Sequence, residues 1–540
     1  MSAEAGARSA TDGEGGGAPP VTRGTGAAAL VALGILFSRL TGLVRQSVFA
    51  HYLGNSPAAG AFTAALRIPN FLQNLFGEGA LSASFIPVYA GLLARGDRRE
   101  AARVAGAVGA VLALLVAILV LVGVLATPLL VDVLAPGFEG ATRELTVRLV
   151  RVLFPGVGLL VLSAWCLGIL NSHRRFFLSY AAPVMWNAAM IGTLLVYGGR
   201  VGEATLTVKL AWGAVLGSAL QLAVQVPSAL RLAGPLRPAM SAAGEHVRTV
   251  LRNFLPAFVS RGIVQISAFV DSIIGSLISA AAVAALGYAQ AIYTLPVSLF
   301  GMSVSASELP AMSGAVGTDQ ERASYLRERL DAGLRRIAFF VIPSAVVFAT
   351  AGDLVAAALF QTGRFGRSDA LWVWGILAGS AVGLLAATMG RLYSSTYYAL
   401  RDTRTPMRYA LVRVALGTAA GYLLAVPVPH ALGLDERWGA AGLTLASGLV
   451  AWLEYALLRR TLNARIGRTG LRWAYLAPVW GAAALAAAAA WACRPAVASV
   501  HPRVAALLVL AVFGAVYAVS VLAAGVPEAR SLARRVSRRR

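Results

Sequence analysis

The segments ALVALGILFSRLTGLVRQSVFA (29–50) and AFTAALRIPNFLQNLFGEGALSASFIPVYAGLL (61–93) decide the fold of this chain. Both are apolar and long enough to cross the ~30 Å hydrocarbon core of a bilayer as helices. Each nevertheless contains arginine: Arg39 and Arg45 in the first segment and Arg67 in the second. An arginine at the centre of a membrane-spanning helix costs ~2.5–3.5 kcal/mol, so such residues face a polar interior. The two segments therefore predict a membrane protein whose wet cavity attracts an anion.

The second segment combines a polar face with helix breakers. Arg67, Asn70, Asn74 and Glu78 fall at i, i+3, i+7 and i+11, which places them on one face of a helix. Interruptions of this helix free backbone groups that lipid cannot satisfy, and they are expected at Pro69, Gly77, Gly79 and Pro87. In the first segment, Ser38, Gly42 and Arg45 share a face at i, i+4 and i+7. These faces are the predicted lining of the cavity.

The composition is typical of a polytopic helical membrane protein, because 58% of the 540 residues are hydrophobic and 13% are charged. The net charge of +23 comes from arginines in short loops, which argues against a nucleic-acid partner. A chain with Lys209 as its single lysine has no phosphate loop of the G-x-x-x-x-G-K type. Neither the scattered histidines nor the two distant cysteines predict a metal site, so we expect no enzyme activity and no bound cofactor.

Fourteen segments are long enough to span the membrane. Loops after the even-numbered segments are rich in arginine, whereas the loops after the first and seventh carry no Arg or Lys. Because cytoplasmic loops are enriched in these residues, both termini are predicted to be cytoplasmic. The predicted segments are 26–51, 58–93, 100–134, 143–171, 177–198, 205–230, 248–279, 282–312, 324–352, 369–399, 406–428, 438–463, 472–493 and 503–526.

An internal repeat organises these segments. LFGEGALSASFIP (75–87) recurs as LFGMSVSASELP (299–310), and three further short matches follow in order at offsets of 223–227 residues. Each repeat holds six helices, so the two lobes have like orientation about an axis along the membrane normal. We predict an all-α protein of two six-helix lobes plus two C-terminal helices. Its predicted parts are a disordered cytoplasmic tail (1–25), an N-lobe (26–231), a C-lobe (245–464), the last two helices (471–526) and a basic cytoplasmic tail (527–540).

Substrate sites in such folds lie at mid-depth between the lobes, beside broken helices. The candidate substrate-binding residues are Arg39, Arg45, Arg261, Arg67, Ser38, Asn70 and Gln265. Two alternatives stay open: Arg67 could pair with Glu78 across the kinked helix, and Asn70 could cap backbone near Pro69.

Glu78 and Asp271 are the candidate gating or coupling residues. Arg261 and Asp271 are ~15 Å apart along one helix, too far to pair, so each needs a partner elsewhere. Asp271 is either a coupling-ion or proton site or a member of an ordinary interhelical hydrogen bond.

The motifs SRLTGLVR (38–45), RIPNFLQNLFGEGALSASFIPVYA (67–90), LAPGF (134–138) and LFQTGRFG (359–366) resemble the lipid II flippase family, MurJ or MviN. That family belongs to the multidrug/oligosaccharidyl-lipid/polysaccharide exporter superfamily. The resemblance implies transport of undecaprenyl-diphosphate-linked peptidoglycan precursor (lipid II) across the bacterial inner membrane by alternating access. Coupling to Na+, H+ or the membrane potential is implied as well. The family's cavity arginines correspond to Arg39 and Arg45, and its acidic residue in the GEGA motif to Glu78.

The chain departs from the family pattern at several charged positions: Gln46, Gly60, Gln73 and Gln290-Ala291 stand where relatives carry charged side chains. Arg261 is expected to replace the missing cation of the second lobe. Alternative functions are export of another polyprenyl-linked saccharide, cation-antiporting drug export and a non-transporting envelope scaffold. Expected partners are lipid II, membrane lipids and cell-wall synthesis proteins.

Overall fold

The computed structural model describes residues 24–73, 75, 81–234, 244–497 and 499–537. Within these ranges the chain is α-helical, with short π and 3-10 turns and no β-strand. The first ten helices are α1 (Gly24–Leu53), α2 (Pro57–Gln73), α3 (Ser82–Ala94), α4 (Arg98–Leu125), α5 (Thr127–Leu134), α6 (Gly140–Ser172), α7 (Phe176–Ala181), α8 (Pro183–Tyr197), α9 (Glu203–Ala233) and α10 (Glu245–Ile278). The remaining helices are α11 (Ala280–Pro296), α12 (Ser303–Ser313), α13 (Asp319–Phe360), α14 (Arg367–Ala399), α15 (Arg404–Ala425), α16 (Pro427–Ala431), α17 (Gly439–Ile466), α18 (Trp473–Ala492), α19 (Pro502–Ala523) and α20 (Pro527–Ser537).

Eleven helical stretches in the described residues are long and apolar enough to cross a membrane. They coincide with predicted segments three to six and eight to fourteen. The other three predicted segments fall on α1, on α2 with α3, and on α10. The structure thus confirms an all-α membrane protein with many spans, whereas the count of fourteen stays a prediction.

Departures from α-helical geometry lie at corresponding positions of the repeat. In the first repeat, Leu75 and Leu81 have π-helical backbone between the described ends of α2 and α3. Helix α2 continues through Pro69 and α3 through Pro87, so interruptions at these two prolines were a wrong expectation. In the second repeat, α11 ends at Pro296 and continues as a π turn, Val297–Met302, before α12. Proline removes one backbone N–H donor from the helical ladder, so the chain departs from α geometry after Pro296.

Two of the four residues of the predicted polar face in the second segment lie within the described residues. Arg67 and Asn70 both belong to α2. The continuous polar face from Arg67 to Glu78 stays a prediction. Asn74 and Glu78 themselves lie outside the described residues.

Contacts fall mainly within two groups of helices. In the first helix group (α1–α9), α6 packs against α2, α4 and α9, and α8 packs against α1 and α9. In the second helix group (α10–α17), α14 packs against α13 and α17, and α15 packs against α17. Helices α18 and α19 pack against each other and against α13. The two groups meet mainly where α2 contacts α11 and where α3 contacts α10.

The two groups touch backbone to backbone at the end of the molecule that carries the loops 54–56, 135–139, 198–202 and 361–366, which we call the closed end. A Cβ atom on Gly60 would lie 1.9 Å from the carbonyl oxygen of Ala280, and one on Gly137 would lie 2.1 Å from that of Ser276. Only glycine allows such approaches. The glycine at position 60, one of the departures from the family pattern, thus permits α2 to contact the start of α11.

Polar contacts across the closed end reinforce this approach. Arg364 forms an ion pair of 2.5 Å with Glu203, and its backbone N–H donates a 2.8 Å hydrogen bond to the carbonyl oxygen of His51. The Asn55 amide donates to Asp369 at 3.1 Å, and the Tyr288 hydroxyl donates to the carbonyl oxygen of Gly54 at 2.8 Å. Every one of these contacts joins the first helix group to the second, so they hold the two groups together here.

At the opposite end, arginines of α13 and α17 pair with acids inside the second helix group. Glu308 of α12 is buried and lies 2.7 Å from Arg329 and 3.0 Å from Arg336 of α13. Asp402, in the loop before α15, is partly desolvated, but hydrogen bonds from Thr405 and Arg465 lower its pKa to about 2. The loop therefore keeps this negative charge at any physiological pH.

We expect Gly60→Ala to open the closed end. The added methyl group would overlap the Ala280 carbonyl. Overpacking of this kind costs about 1–3 kcal/mol, enough to shift a closed–open equilibrium roughly tenfold. Electron–electron resonance between spin labels at the exposed positions Ala204 and Ser368, in a chain without its native cysteines, should then report a longer-distance component.

Gly192→Ala is the matched control, since no atom lies within 4 Å of the Cβ position of this helical glycine. It should leave the distance distribution unchanged. Identical distributions for Gly60→Ala and the parent chain would mean that the contact at Ala280 does not hold the groups together.

Candidate functional site

The exposed apolar side chains of α1 form one stripe along the helix, and an exposed arginine points away from that stripe. Phe37, Leu40 and Val44 are 52–57% exposed and form one apolar stripe at i, i+3 and i+7. Arg39 is also exposed, but at 100° per residue it points roughly 130° away from the middle of that stripe. An exposed guanidinium group off the apolar face of a membrane helix indicates a polar space on that side.

Arg45 lies on the face of α1 that packs against α8. Its guanidinium carbon is 5.1 Å from the centroid of the Trp186 ring, a cation–π contact. Its Nε atom is buried and has no hydrogen-bond partner among the described residues. On the same face, the Asn187 amide donates to the Thr41 hydroxyl at 3.4 Å and to the carbonyl oxygen of Ser38 at 3.5 Å. The structure thus places Ser38 and Arg45 together on the α8 side, as their spacing predicts.

Arg67 lies on α2 where this helix meets α10. Phe71, one turn further along α2, contacts Phe269 edge to face with ring centroids 4.9 Å apart. Arg67, Phe269 and Ser272 also line one small cavity between the two helices. Asn70 is exposed on α2, so its side chain remains available to a ligand.

Asp271 of α10 is surrounded by arginine. The positive charges of Arg67 and Arg413 act on its carboxylate, and the Ser447 hydroxyl donates a hydrogen bond to it. Arg413 of α15 in turn lies 3.0 Å from Glu454 of α17. The acid therefore finds one cationic neighbour in the first helix group and another in the second.

Three predicted site residues have side chains outside the described part of the structure. Arg261 and Gln265 belong to the backbone of α10, but their side chains are not described. Glu78 lies wholly outside the described residues. Their roles stay predictions.

The candidate residues do not form one compact cluster. Arg39 and Arg45 are six residues apart on α1, so their side chains point roughly 120° apart. Arg45 lies against α8, whereas Arg67 lies towards α10 and Asp271. The arrangement therefore places cations at separate points on α1 and α2 rather than in one cluster.

A separate apolar groove of about 310 Å³ lies in the second half of the chain. Leu295 and Phe300 line it from α11 and the π turn, Phe348 from α13 and Phe513 from α19. It begins beside the helix break after Pro296 and carries almost no polar surface, so it suits a hydrocarbon chain.

Sequence reasoning did not select Trp186, Asn187, Arg413, Ser447 or Glu454. A usable signal existed for Arg413 and Glu454, since each is an ionisable residue inside a predicted apolar span. No signal pointed to Trp186, because an aromatic residue in an apolar helix is ordinary. Among the described residues, no group of three or more His, Cys, Asp or Glu side chains could hold a metal ion.

Comparison with known proteins identifies the family. The family model described as "Lipid II flippase MurJ" matches residues 49–501. The chain belongs to the lipid II flippase MurJ family. Its members are transporters rather than enzymes, and the resemblance seen in the sequence motifs is thereby confirmed.

Curated relatives agree with this assignment. A probable lipid II flippase MurJ of Rhizobium tropici is 33% identical over 80% of this chain and 79% of its own length. The lipid II flippase MurJ of Burkholderia cenocepacia is 30% identical over 80% of this chain and 82% of its own length.

Solved structures share the fold. A lipid II flippase MurJ in an inward closed conformation covers 91% of this chain and 98% of its own, with a TM-score of 0.74 at 21% identity. A multidrug resistance MATE family transporter of the MOP superfamily, in an inward-facing conformation, matches with a TM-score of 0.64 at 17% identity, covering 81% of this chain and 98% of its own.

We expect Asp271→Asn to destabilise the protein by about 1–3 kcal/mol, because it removes the negative charge that lies near Arg67 and Arg413. The effect should be smaller in an Arg67→Gln background, where one of the two arginines is absent. Unfolding in mixed micelles measures both. Asp435→Asn is the matched control, since that acid is 59% exposed in a loop. Equal losses in the two backgrounds would show that Arg67 and Asp271 are not coupled.

Proposed function

We propose that this chain translocates lipid II, the undecaprenyl-diphosphate-linked peptidoglycan precursor, across the bacterial cytoplasmic membrane by alternating access. The observation that carries the proposal is Arg39, an exposed cation in the middle of a membrane helix and off its apolar stripe, in a chain of the MurJ family. A cation held at this depth is best explained by an anionic cargo.

Arg39, Arg45 and Arg261 hold the substrate diphosphate. Each carries a planar, permanently charged fork that suits phosphate oxygens. At an effective dielectric constant near 20, one close charge pair contributes ~4 kcal/mol before desolvation. Two or three such pairs offset the cost of drawing a diphosphate into a partly dry cavity. Ser38, Asn70, Gln265 and Arg67 supply further polar contacts around it.

The apolar groove between α11, α13 and α19 receives part of the polyprenyl chain. Its lining is aliphatic and aromatic, and it opens to the side of the molecule. The polyprenyl chain gains no free energy by moving from lipid into this groove, but the groove guides the chain while the head group occupies the cavity.

The architecture behind this transport is fourteen transmembrane helices in two six-helix lobes of like orientation, 26–231 and 245–464, with 471–526 as an appendage. Both termini are cytoplasmic, so the closed end faces outwards. The lobes rock about hinges at Pro69–Gly79 and Pro296–Gly301, which overlap the π-helical backbone at Leu75 and at Val297–Met302. The arginine-rich loops and the basic tail lie on the anionic lipid of the inner leaflet.

Coupling of transport to a proton or Na+ gradient depends on Asp271, and Glu78 acts as a gating residue. In the closed-end conformation Arg67 and Arg413 supply positive charge to Asp271. Separation of the lobes would remove Arg67 from α10, and the acid would then be free to take a proton or Na+. The membrane potential remains an alternative driving force, and no other cofactor is involved.

Two alternatives belong to the same architecture: export of another polyprenyl-linked saccharide, and drug export by cation antiport. Several cavity cations favour a diphosphate over a cationic drug. A non-transporting scaffold for cell-wall synthesis proteins is the alternative of a different class, and the cost of inserting these arginines argues against it. Rescue of a strain depleted of its own flippase separates all of these.

Asp271→Asn should abolish gradient-dependent flipping while leaving substrate binding largely intact, because the neutral amide cannot exchange a proton or a cation. Flipping into vesicles with imposed pH, Na+ and potential gradients measures this, with Asp435→Asn as control. A variant whose flipping still responds normally to every gradient would exclude Asp271 from coupling.

Arg39→Ala should abolish rescue of a flippase-depleted strain, and Arg39→Lys should restore only part of it, since lysine keeps the charge but loses the planar fork. Arg261→Ala should be comparably damaging, because Gln290-Ala291 offers no cation in the second lobe.

Expression-matched variants decide this. Arg103→Ala is the control, since Arg103 is 65% exposed and pairs with Glu100 of its own helix. Rescue at the parental rate by a normally inserted Arg261→Ala would refute the compensating role of Arg261, and the same result for Arg39→Ala would refute the proposed function.

A further inference from the structure

Arg45 has fewer oppositely charged neighbours among the described residues than Asp271 or Arg413 has. Asp271 has two arginine neighbours, and Arg413 has Glu454. Arg45 forms no ion pair with any described residue, and its Nε atom is buried without an acceptor. A buried cation without a partner is costly, so this arrangement is retained where a ligand supplies the missing negative charge.

The side chain that does contact Arg45 is Trp186 of α8, 5.1 Å from its guanidinium carbon. The backbone of Trp186 is fixed from behind by α9. A Cβ atom on Gly217 would lie 2.8 Å from the Trp186 Cα and 2.9 Å from its carbonyl oxygen, so glycine lets the two helices touch at this point. The indole therefore stands on rigidly packed backbone rather than on a loop.

Asn187, the next residue of α8, connects the same stretch of this helix to α1 by hydrogen bonds. Its amide donates to the Thr41 hydroxyl and to the carbonyl oxygen of Ser38, one turn and two turns before Arg45. The register between α1 and α8 is thus set beside the arginine, which places the indole against it.

A guanidinium group that contacts an aromatic face keeps its N–H donors in its own plane, pointing away from the ring. Those donors are the ones that phosphate oxygens accept in a bidentate contact. We propose that Trp186 and Asn187 are positioning residues for the anion site: Trp186 holds one face of the Arg45 guanidinium so that its N–H edge meets the substrate diphosphate. This inference rests on the proposed function, because it assigns the arrangement that makes Arg45 an effective diphosphate ligand.

A space-filling role for Trp186 predicts something different. If the indole only packed α1 against α8, its loss would lower stability and would act on affinity whether or not Arg45 is present. A positioning role requires that the effect of Trp186 on affinity disappear when the guanidinium group is removed.

The test is a titration of the purified full-length chain in nanodiscs with undecaprenyl diphosphate. Trp186→Leu should weaken binding roughly 3- to 30-fold, the range that corresponds to a cation–π contact. Trp186→Phe should recover part of this loss, since it keeps an aromatic face. In an Arg45→Gln background, Trp186→Leu should weaken binding no further.

Trp212→Leu is the matched control, because this tryptophan lies in the same helix group with its side chain 56% exposed. It should bind like the parent chain. The intrinsic fluorescence change on adding undecaprenyl diphosphate should be diminished by Trp186→Phe and unaffected by Trp212→Leu. Thermal unfolding of each variant in nanodiscs reports whether it is folded.

The outcomes separate the two claims. If the parent chain binds and folded Trp186→Leu binds equally tightly, the positioning role is overturned. The same holds if Trp186→Leu weakens binding equally with and without Arg45. Both results leave the proposed function standing. Absence of binding by the parent chain overturns the proposed function, and the inference with it. Loss of binding that depends on Arg45 and is partly restored by phenylalanine supports both.

Discussion

A charged side chain inside the hydrocarbon core of a membrane must be balanced by other groups of the protein, and much of this structure depends on that constraint. The cost of removing a charge from water is recovered only through close opposite charges, hydrogen bonds or aromatic faces. Asp271, Arg413 and Glu454 satisfy it as a chain across α10, α15 and α17, with Arg67 reaching them from α2. Each such contact joins different helices, so balancing the charges also fixes which helices are neighbours.

The same constraint bears on where the two helix groups can meet. At the closed end, glycine backbones and paired polar groups let the two helix groups meet without unsatisfied charge. In the middle, Arg39 is exposed and points away from the lipid-facing stripe. A cation in this position favours water or an anion over lipid.

The sequence predicted the helices well because apolar length and loop arginines are local signals. It also predicted interruptions of the second segment, and Leu75 and Leu81 have π-helical backbone. The interruptions expected at Pro69 and Pro87 do not occur, because α2 and α3 continue through these prolines. It could not predict which side chains of other helices lie near a given charged residue. Nothing local to Asp271 indicates Arg67 or Arg413, which come from helices far away in the chain. Trp186 became significant only when the fold placed it beside Arg45.

The backbone contacts of Gly60 and Gly137 have a consequence for the energy supply of the cell. A seal made of side chains can admit water through rotamer changes, whereas main-chain atoms in direct contact leave no gap to fluctuate. Protons and sodium ions are far smaller than any lipid-linked saccharide, and a cavity wide enough for the latter would conduct them if its far end were loose. Close-packed backbone at that end lets a large cargo path coexist with an insulating membrane.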